Sequence, residues 1–180
     1  MNISASDINA VIVTHEHTDH IQSVGNLSKK FNIPVFATSQ TFDAMPKQCE
    51  KISNNNKKNI DIDEKFQIGD IEILPFAIPH DAANPCGYTL FAENKKISIA
   101  TDIGHMSNYI LKHIDGSDFI LLESNYDPEV LKCTKYPFKL KTRIAGSTGH
   151  LSNQMAGQTI NYLINNRFKK SYTWPFKQRK

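Results

Sequence analysis

The chain has 180 residues, of which 39% are apolar and 22% charged, and its formal net charge is +3. This length and composition are typical of one soluble domain with a sizeable core. No apolar run approaches the roughly 18 residues of a membrane span, and the first residues do not resemble a secretory leader. We therefore expect a cytoplasmic protein with no membrane contact. The mild positive charge permits a polyanionic substrate but falls short of the basic stripe of a dedicated nucleic-acid-binding module.

Two other features of the composition predict little chemistry. The cysteines Cys49, Cys86 and Cys133 are odd in number and lack the C-x-x-C spacing of a zinc knuckle or a redox site, so we expect reduced thiols. Basic residues gather in two late groups, which we interpret as a solvated face and a loose tail. The groups are Lys132, Lys135, Lys139, Lys141 and Arg143, and then Lys169, Lys170, Lys177, Arg179 and Lys180.

The first third of the chain predicts an α/β unit. A β-branched run over Ala10–Val13 predicts a buried strand, the spacing from Ile21 to Phe31 predicts a helix, and Pro34–Thr38 predicts a second strand. Strand, helix and strand in this order indicate a parallel or mixed sheet. Ser39–Met45 then predicts a short helix, and the polar stretch Lys47–Asn59 predicts a surface excursion.

The remainder of the chain predicts hairpins followed by helices. Short β-rich runs separated by turn residues predict antiparallel strands at Lys65–Ile68, Ile71–Ile78, Tyr88–Ala92 and Lys96–Ala100. A further strand is predicted at Asp118–Leu122. Helices are predicted at Met106–Ile114, Pro128–Cys133 and Ser152–Ile164, the last with Ser152 as N-cap.

The run T-H-E-H-T-D-H from Thr14 to His20 is the strongest chemical signal in the chain. It begins where an apolar strand ends. On extended backbone, residues i and i+2 point to the same side, so His15 and His17 can share one cation. Asp19 and His20 fall on the next turn, placed for a second cation. Ligands on a helix face come at i, i+3 or i+4 instead, which argues against a zincin-type site.

Two coordination spheres need more ligands than these four residues supply. His80 follows the strand Ile71–Ile78, and Asp102 follows the strand Lys96–Ala100. A polar side chain at the end of an apolar strand is costly to bury unless it is paired or bound to metal. The sequence therefore predicts a metal site built from the His-rich run, a strand-end His and a strand-end Asp.

This order of ligands resembles the metallo-β-lactamase superfamily, an α/β fold with a four-layer αβ/βα sandwich and a binuclear site at one edge of two facing sheets. The resemblance implies that His15, His17 and His80 bind one metal, that Asp19 and His20 bind the other, and that Asp102 bridges both. Further segments resemble the WalJ/YycJ-type branch, over about residues 7–165. They are I-P-H-D-A-A-N-P-C-G-Y, I-A-T-D-I-G, L-L-E-S-N-Y-D and G-H-L-S-N, which begin at Ile78, Ile99, Leu121 and Gly149.

Three histidines lie outside this ligand set. His105 in a turn and His113 in the last turn of a helix are predicted to be structural or exposed. His150 precedes the helix from Ser152, and helix N-termini attract anions. The resemblance implies that His150 is a proton donor or phosphate-stabilising group, catalytic together with Asp19. A direct ligand to the second metal and a purely structural histidine remain the alternatives for His150.

The resemblance implies a metal-dependent hydrolase, and phosphodiesters as its substrate class. The expected activity is that of an exonuclease-like phosphodiesterase on nucleic acid, DNA rather than RNA, in which two divalent cations, Zn or Mn, generate a hydroxide. Hydrolysis of a thioester or other acyl compound is the alternative within the same fold. A metal-binding but inactive fragment or interaction module is the alternative of another class.

The ends of the chain depart from the family pattern. Only thirteen residues precede Thr14, so we expect the sandwich to be missing early strands of the first sheet. We expect an incomplete metallo-β-lactamase-like domain at residues 1–168 and an atypical basic tail at residues 169–180. The family's last ligand histidine lies in an L-x-H-L-S-type strand, where this chain has S-Y-T-W-P-F-K-Q-R-K from Ser171. A frameshifted or fragmentary gene is our hypothesis for this tail, and resequencing of the locus tests it.

Overall fold

The structure, a computed structural model, describes residues 4–47 and 51–172. In these residues eight strands form two sheets, and helices connect and flank them. The strands are β1 (Val11–Ile12), β2 (Val35–Ala37), β3 (Lys57–Asn59), β4 (Phe66–Ile68), β5 (Ile71–Ala77), β6 (Cys86–Ala92), β7 (Lys95–Ala100) and β8 (Phe119–Leu122). The α-helices are α1 (Thr18–Ile21), α2 (Val24–Phe31), α3 (Ser39–Ala44), α4 (Asn108–Ile114), α5 (Pro128–Cys133), α6 (Phe138–Ile144) and α7 (Asn153–Tyr172). Short 3-10 helices lie at Ala5–Asp7 and Asn54–Asn56.

The topology of both sheets follows from their connections. The first sheet has the order β1-β2-β3 and all its strands are parallel, which agrees with the parallel or mixed sheet predicted from the strand, helix and strand order. The second has the order β4-β5-β6-β7-β8. Its first four strands are antiparallel neighbours, which confirms the predicted antiparallel strands. Two-residue turns join β4 to β5 and β6 to β7, and the longer loop of residues 78–85 joins β5 to β6. β8 returns through α4 and therefore pairs with β7 in parallel.

Three apolar clusters show that the sheets form the middle layers of a sandwich. The first cluster joins Val35 and Ala37 of the first sheet to helix residues such as Val24 and Phe42. Phe36, which lies between Val35 and Ala37 in β2, points the opposite way into a cluster with Cys86 and Tyr88 of the second sheet. The third cluster joins the other face of the second sheet to α4 and α7. Alternate residues of a strand thus serve two cores, and the layers run helix, sheet, sheet, helix.

A buried tyrosine ties the two sheets together beside the end of β1. Tyr88 in β6 is fully buried, and its hydroxyl donates to the carbonyl of Val13 at 2.6 Å. The neighbouring amide of Cys86 donates to the carbonyl of Thr14 at 2.9 Å. These two bonds fix the backbone that leads into His15.

Tyr88→Phe is expected to lower the free energy of unfolding of the metal-free protein by about 1–2 kcal/mol. The substitution removes the donor to a buried carbonyl without opening a cavity, so the loss is that of one buried hydrogen bond. Urea unfolding followed by circular dichroism measures it. An unchanged midpoint would show that water replaces the hydroxyl and that the bond does not hold the sheets together.

The structure corrects the sequence interpretation at three places. The stretch Lys47–Asn59 is not only a surface excursion, because Lys57–Asn59 forms the edge strand β3 and pairs with β2. The single helix expected from Ile21 to Phe31 is divided into α1 and α2. The first of the two basic groups lies on α5, on the connection that holds Lys135, and on α6, a helix that the sequence did not predict.

Other expectations have mixed outcomes. Cys86 and Cys133 are free thiols, as predicted, whereas Cys49 lies outside the described residues. Helix α7 continues past position 168, and the tail from residue 173 also lies outside the described residues, so the domain boundary stays a prediction. None of the helices in the described part of the chain has the length and apolar character needed to cross a bilayer.

Candidate metal centre

Strand ends from both sheets deliver the candidate ligands to one edge of the sandwich. His15 follows β1, His80 follows β5, and Asp102 follows β7, as the sequence predicts. Glu123 follows β8 in the same way. The ends are also bonded to one another, since the amide of Glu123 donates to the carbonyl of Ala100 at 3.0 Å. The sheets therefore set the spacing of the site.

Three histidines form the first group. The Nε2 atom of His15 lies 3.0 Å from Nδ1 of His17, and Nε2 of His80 lies 3.2 Å from the same Nδ1. His15 is fully buried and His80 nearly so, whereas the side chain of His17 is 31% exposed. Three imidazole nitrogens thus converge on one point that has access to solvent on one side.

The spacing of these nitrogens fits a tetrahedral cation. Nitrogens bound at 2.0–2.1 Å to a tetrahedral zinc ion lie about 3.3 Å apart, close to the 3.0 and 3.2 Å observed. The outer contacts also fit, because Nδ1–H of His80 donates to the carbonyl of Gly149 at 3.0 Å and leaves Nε2 unprotonated toward the group. The donor set is therefore suited to Zn²⁺ or a similar ion.

A second group adjoins the first. It contains His15, His20 and Asp102, whose donor atoms lie within 4.8 Å of one another. His20 Nε2 is 3.2 Å from Asp102 Oδ2, and Thr14 Oγ1 is 3.3 Å from Nδ1 of the same ring. Asp102 has a left-handed backbone with φ of 56°, a conformation that is costly for a residue other than glycine and is typical of functional sites.

Asp19 stands apart from these groups. Its side chain is 82% exposed, and its Oδ2 is 3.6 Å from His20 Nε2. The described residues contain a third cluster of potential ligands besides these two groups, formed by Asp102, Glu123 and His150, and Asp19 belongs to none of the three. The predicted roles of Asp19 as ligand and catalytic group therefore stay predictions.

His150 lies beside the second group and is held by a residue that sequence reasoning missed. Its Nδ1 is 2.7 Å from Glu123 Oε1 and 3.4 Å from Asp102 Oδ1. The other oxygen of the buried Glu123 accepts from the amides of Ile103 and Leu151, at 2.8 and 2.9 Å. An acidic residue directly after the apolar strand β8 is the signal that could have identified Glu123, because the same signal identified Asp102.

An ion pair lies beside the first group. Arg143 of α6 makes a bidentate contact with Asp81, at 2.6 and 2.9 Å. Asp81 Oδ1 is in turn 3.5 Å from His80 Nε2 and 3.9 Å from His17 Nε2. Sequence reasoning assigned neither residue a role, because the two are far apart in the chain and only the fold brings them together.

Burial and mutual repulsion disfavour the charged forms of His15 and His80. Burial, together with the nearby His20 and His80, lowers the pKa of His15 to about 3. Burial also lowers the pKa of His80. In the second group the hydrogen bond to Asp102 raises the pKa of His20. Burial opposes ionisation of Asp102, but the contacts with His20 outweigh it and bring the pKa of Asp102 to about 2.

We expect His15 of the metal-free protein to stay neutral until the pH falls to about 3. Between that pH and 6.5 the unfolded chain binds a proton at His15 and the folded chain does not. The contribution of neutral His15 to stability is therefore fully present above pH 6.5 and is lost as the pH falls toward 3. Imidazole NMR titration of the metal-free protein measures this directly, and a midpoint near 6.5 for His15 would contradict the expected burial.

The remaining histidines lie where the sequence predicts. His113 is in the last turn of α4, where its ring stacks on Phe76 and its Nε2 is 3.3 Å from Asp63. His105 is exposed, with Nδ1 2.9 Å from the carbonyl of Ser147. Neither belongs to a cluster of potential ligands among the described residues.

The chain is similar to known proteins over most of its length. A family described as "Beta-lactamase superfamily domain" matches residues 2–168. The chain is 34% identical over 170 residues to "Exodeoxyribonuclease YycJ" of Bacillus anthracis, which covers 94% of this chain and 64% of that protein. It is 33% identical over 174 residues to "Exodeoxyribonuclease WalJ" of Streptococcus pneumoniae, and this alignment covers 96% of this chain and 65% of that protein. The chain thus spans a little under two thirds of these curated relatives.

A solved structure shows the same fold. The metallo-β-lactamase fold protein YhfI of Bacillus subtilis superposes with a TM-score of 0.62 at 20% identity, over 86% of this chain and 60% of that one. The predicted αβ/βα sandwich is therefore confirmed. The resemblance to WalJ/YycJ-type proteins, inferred from the sequence segments, is confirmed as a similarity.

Proposed function

Because this chain belongs to the β-lactamase superfamily, we propose that it is a metal-dependent phosphodiesterase that shortens DNA from an end. The convergence of the His15, His17 and His80 nitrogens at one edge, directly beside the His20 and Asp102 pair, is the observation that carries the proposal. The names of the relatives, exodeoxyribonucleases, support the substrate class. A cytoplasmic location is part of the proposal.

Two metal ions are part of the proposal, with the first at His15, His17 and His80. The second would take His20 and Asp102, with Asp19 turned inward from its exposed position. Asp102 also approaches His15, so one carboxylate can serve both ions. A histidine-rich first group suits zinc, and the two carboxylates also suit manganese. Such ions supply a water of lowered pKa and positive charge for the phosphate oxygens.

His150 is the proposed proton donor to the leaving oxygen. Its Nδ1–H donates to the buried Glu123 at 2.7 Å, which fixes the ring and leaves Nε2 to carry the transferable proton. The same hydrogen bond raises the pKa of His150, so the ring holds its second proton to a higher pH than an unpaired histidine does. Asp102, 3.4 Å from Nδ1, supports the charged form.

A nuclease assay tests this proposal. A single-stranded oligodeoxynucleotide labelled at one end, and a second labelled at the other, are incubated with the protein and Zn²⁺ or Mn²⁺. We expect stepwise shortening from one end, abolished by chelator. The same preparation of Asp102→Asn controls for contaminating nucleases.

The assay also separates the alternatives. Hydrolysis of a thioester without cleavage of any phosphodiester would replace the proposal with an acyl hydrolase. Neither activity, in a chain that binds metal, would indicate an inactive metal-binding module. Internal cuts instead of terminal shortening would support phosphodiesterase activity but contradict exonuclease activity.

A further inference from the structure

Two aromatic side chains stand exposed on the α5–α6 segment, at residues 127–146. Phe138 is 84% exposed and Tyr136 is 52% exposed. The exposed part of each ring is not packed against the rest of the chain, so that part contributes little to stability. Neither ring has a part in the candidate metal centre described above. Both rings are therefore available to stack against a partner with flat, apolar faces.

The segment is held in place, so the exposed rings form a defined surface. Asp127 caps α5 by accepting from the amides of Glu129 and Val130, at 2.8 and 3.0 Å. Lys141 of α6 reaches back to donate to the carbonyl of Lys132 at 2.6 Å. Between the helices lies an open groove of about 450 Å³, lined in part by Leu131, Phe138 and Thr142.

The same segment is strongly basic. Residues 127–146 contain five basic and two acidic side chains, a net charge of +3. One of the acidic residues, Glu129, is paired with Lys132 at 2.7 Å. Lys135 and Lys139, which flank the two aromatic residues in sequence, are both exposed. Rings interleaved with cations match the alternating bases and phosphates of a single strand.

The end of the segment leads directly to the candidate metal centre. Arg143 pairs with Asp81, whose Oδ1 is 3.5 Å from His80 Nε2. One residue further, the carbonyl of Ile144 accepts from the amide of His150 at 2.9 Å. These contacts connect α6 to the candidate metal centre, so a DNA strand lying along α6 would lead toward the reacting groups.

We propose that residues 127–146 form a track for single-stranded DNA, with bases stacked on Phe138 and Tyr136 and phosphates neutralised by Lys135 and Lys139. The proposal rests on the proposed function, because it gives that site its incoming substrate. Stacking accepts any base, so the track binds strands with little sequence preference. It also requires unpaired bases, so it favours a single strand over a blunt duplex.

Binding without turnover tests the stacking. Fluorescence anisotropy with labelled oligodeoxythymidylate, in chelator, compares the wild type with Phe138→Ala and with the control Phe119→Ala, another exposed phenylalanine at 59%. We expect Phe138→Ala to weaken binding about 5- to 100-fold, as expected for one lost stacking contact. Phe119→Ala should change it less than twofold. Equal loss in both variants, or none in Phe138→Ala, would overturn the track.

A duplex arm and a salt titration sharpen the result. Phe138→Ala should leave affinity for a blunt duplex within twofold, and a parallel loss on duplex would overturn stacking. Lys135→Gln with Lys139→Gln should lower the slope of log K against log salt by about 1.4, since each phosphate contact on a single strand contributes about 0.7. The matched control, Lys58→Gln with Lys112→Gln, should retain the slope. An unchanged slope in the first pair would overturn the assignment of those lysines.

The binding experiment also keeps the two proposals separate. Binding in chelator needs no hydrolysis. If the chain cleaves no phosphodiester, the proposed function is contradicted, but the binding of the variants still tests the track. A chain that cleaves DNA with stacking variants that bind as tightly as the wild type would retain the proposed function and overturn the track.

Discussion

His17→Ala is expected to remove the metal bound by the first group and to lower phosphodiester hydrolysis by about 10³-fold or more. His17 Nδ1 lies within 3.2 Å of both other donor nitrogens, so its loss leaves two ligands where three converge. We expect hydrolysis to fall with the metal, because a divalent ion held there would supply a water of lowered pKa. Metal content by mass spectrometry and a rate assay on the same sample measure the two effects.

The design of this variant separates metal loss from unfolding. His17 is partly exposed, so its removal leaves a smaller defect than removal of the fully buried His15. His105→Ala is the matched control, since His105 is exposed and outside the clusters formed by the described residues. It should keep both metal and rate. A His17→Ala protein that folds and keeps full metal content would refute the first group as a metal site.

His150→Ala is expected to keep its metal and to lose turnover by about 10²- to 10⁴-fold, the contribution of a positioned general acid. The histidine lies next to the second group, but its Nδ1 is engaged by Glu123 at 2.7 Å. Single-turnover rates with metal content measured in parallel check this. Loss of one metal ion from His150→Ala would instead support the competing role of His150 as a direct ligand.

Glu123→Gln distinguishes positioning from bulk structure in the same experiment. The amide keeps an acceptor for one partner but removes the charge that raises the pKa of His150. We therefore expect the alkaline limb of the pH–rate profile, which reports deprotonation of the general acid, to move to lower pH. The reason is that a histidine without its carboxylate partner loses its proton at a lower pH. A profile that keeps its position with a uniformly lower rate would show that Glu123 acts only through packing.

Local patterns were sufficient for the parts of the fold and site that depend on neighbours in sequence. The His15 and His17 pair, the strand-end His80 and the strand-end Asp102 all follow short apolar runs, and the structure brings them together. The hairpins followed from turn residues between β-rich runs. These signals can be read from the sequence because a strand in the core must be apolar. A polar side chain at the end of such a strand is costly to bury unless it is paired or bound to metal.

The missed elements lack such signals for physical reasons. β3 is an edge strand whose residues Lys57–Asn59 are all polar, so its pairing comes from the backbone of β2. α6 has no fully buried residue, and its apolar Leu140 and Ile144 are only half-buried, so its apolar pattern is weak. Lys141 and Arg143 connect it to the rest of the chain. The role of Glu123 depends on contacts with residues 20 to 28 positions away, which no local pattern contains.

Asp19 shows how spacing alone can fail to fix a ligand. Its position in T-H-E-H-T-D-H predicts a contact with the second metal, yet in the structure the carboxylate is 82% exposed and lies 3.6 Å from His20. It sits in the first turn of the four-residue helix α1, where the helix dipole also favours an acidic side chain. The side-chain rotamer of Asp19 determines whether its carboxylate contacts the second metal or only stabilises the start of α1.

Native mass spectrometry of the reconstituted chain, coupled to a phosphodiesterase assay on the same sample, tests the metal centre most directly. We expect two divalent ions per chain, hydrolysis of phosphodiester bonds, and loss of both on chelation. One ion per chain without hydrolysis, or hydrolysis that persists in a protein shown to be free of metal, would contradict a catalytic centre at His15, His17, His80, His20 and Asp102.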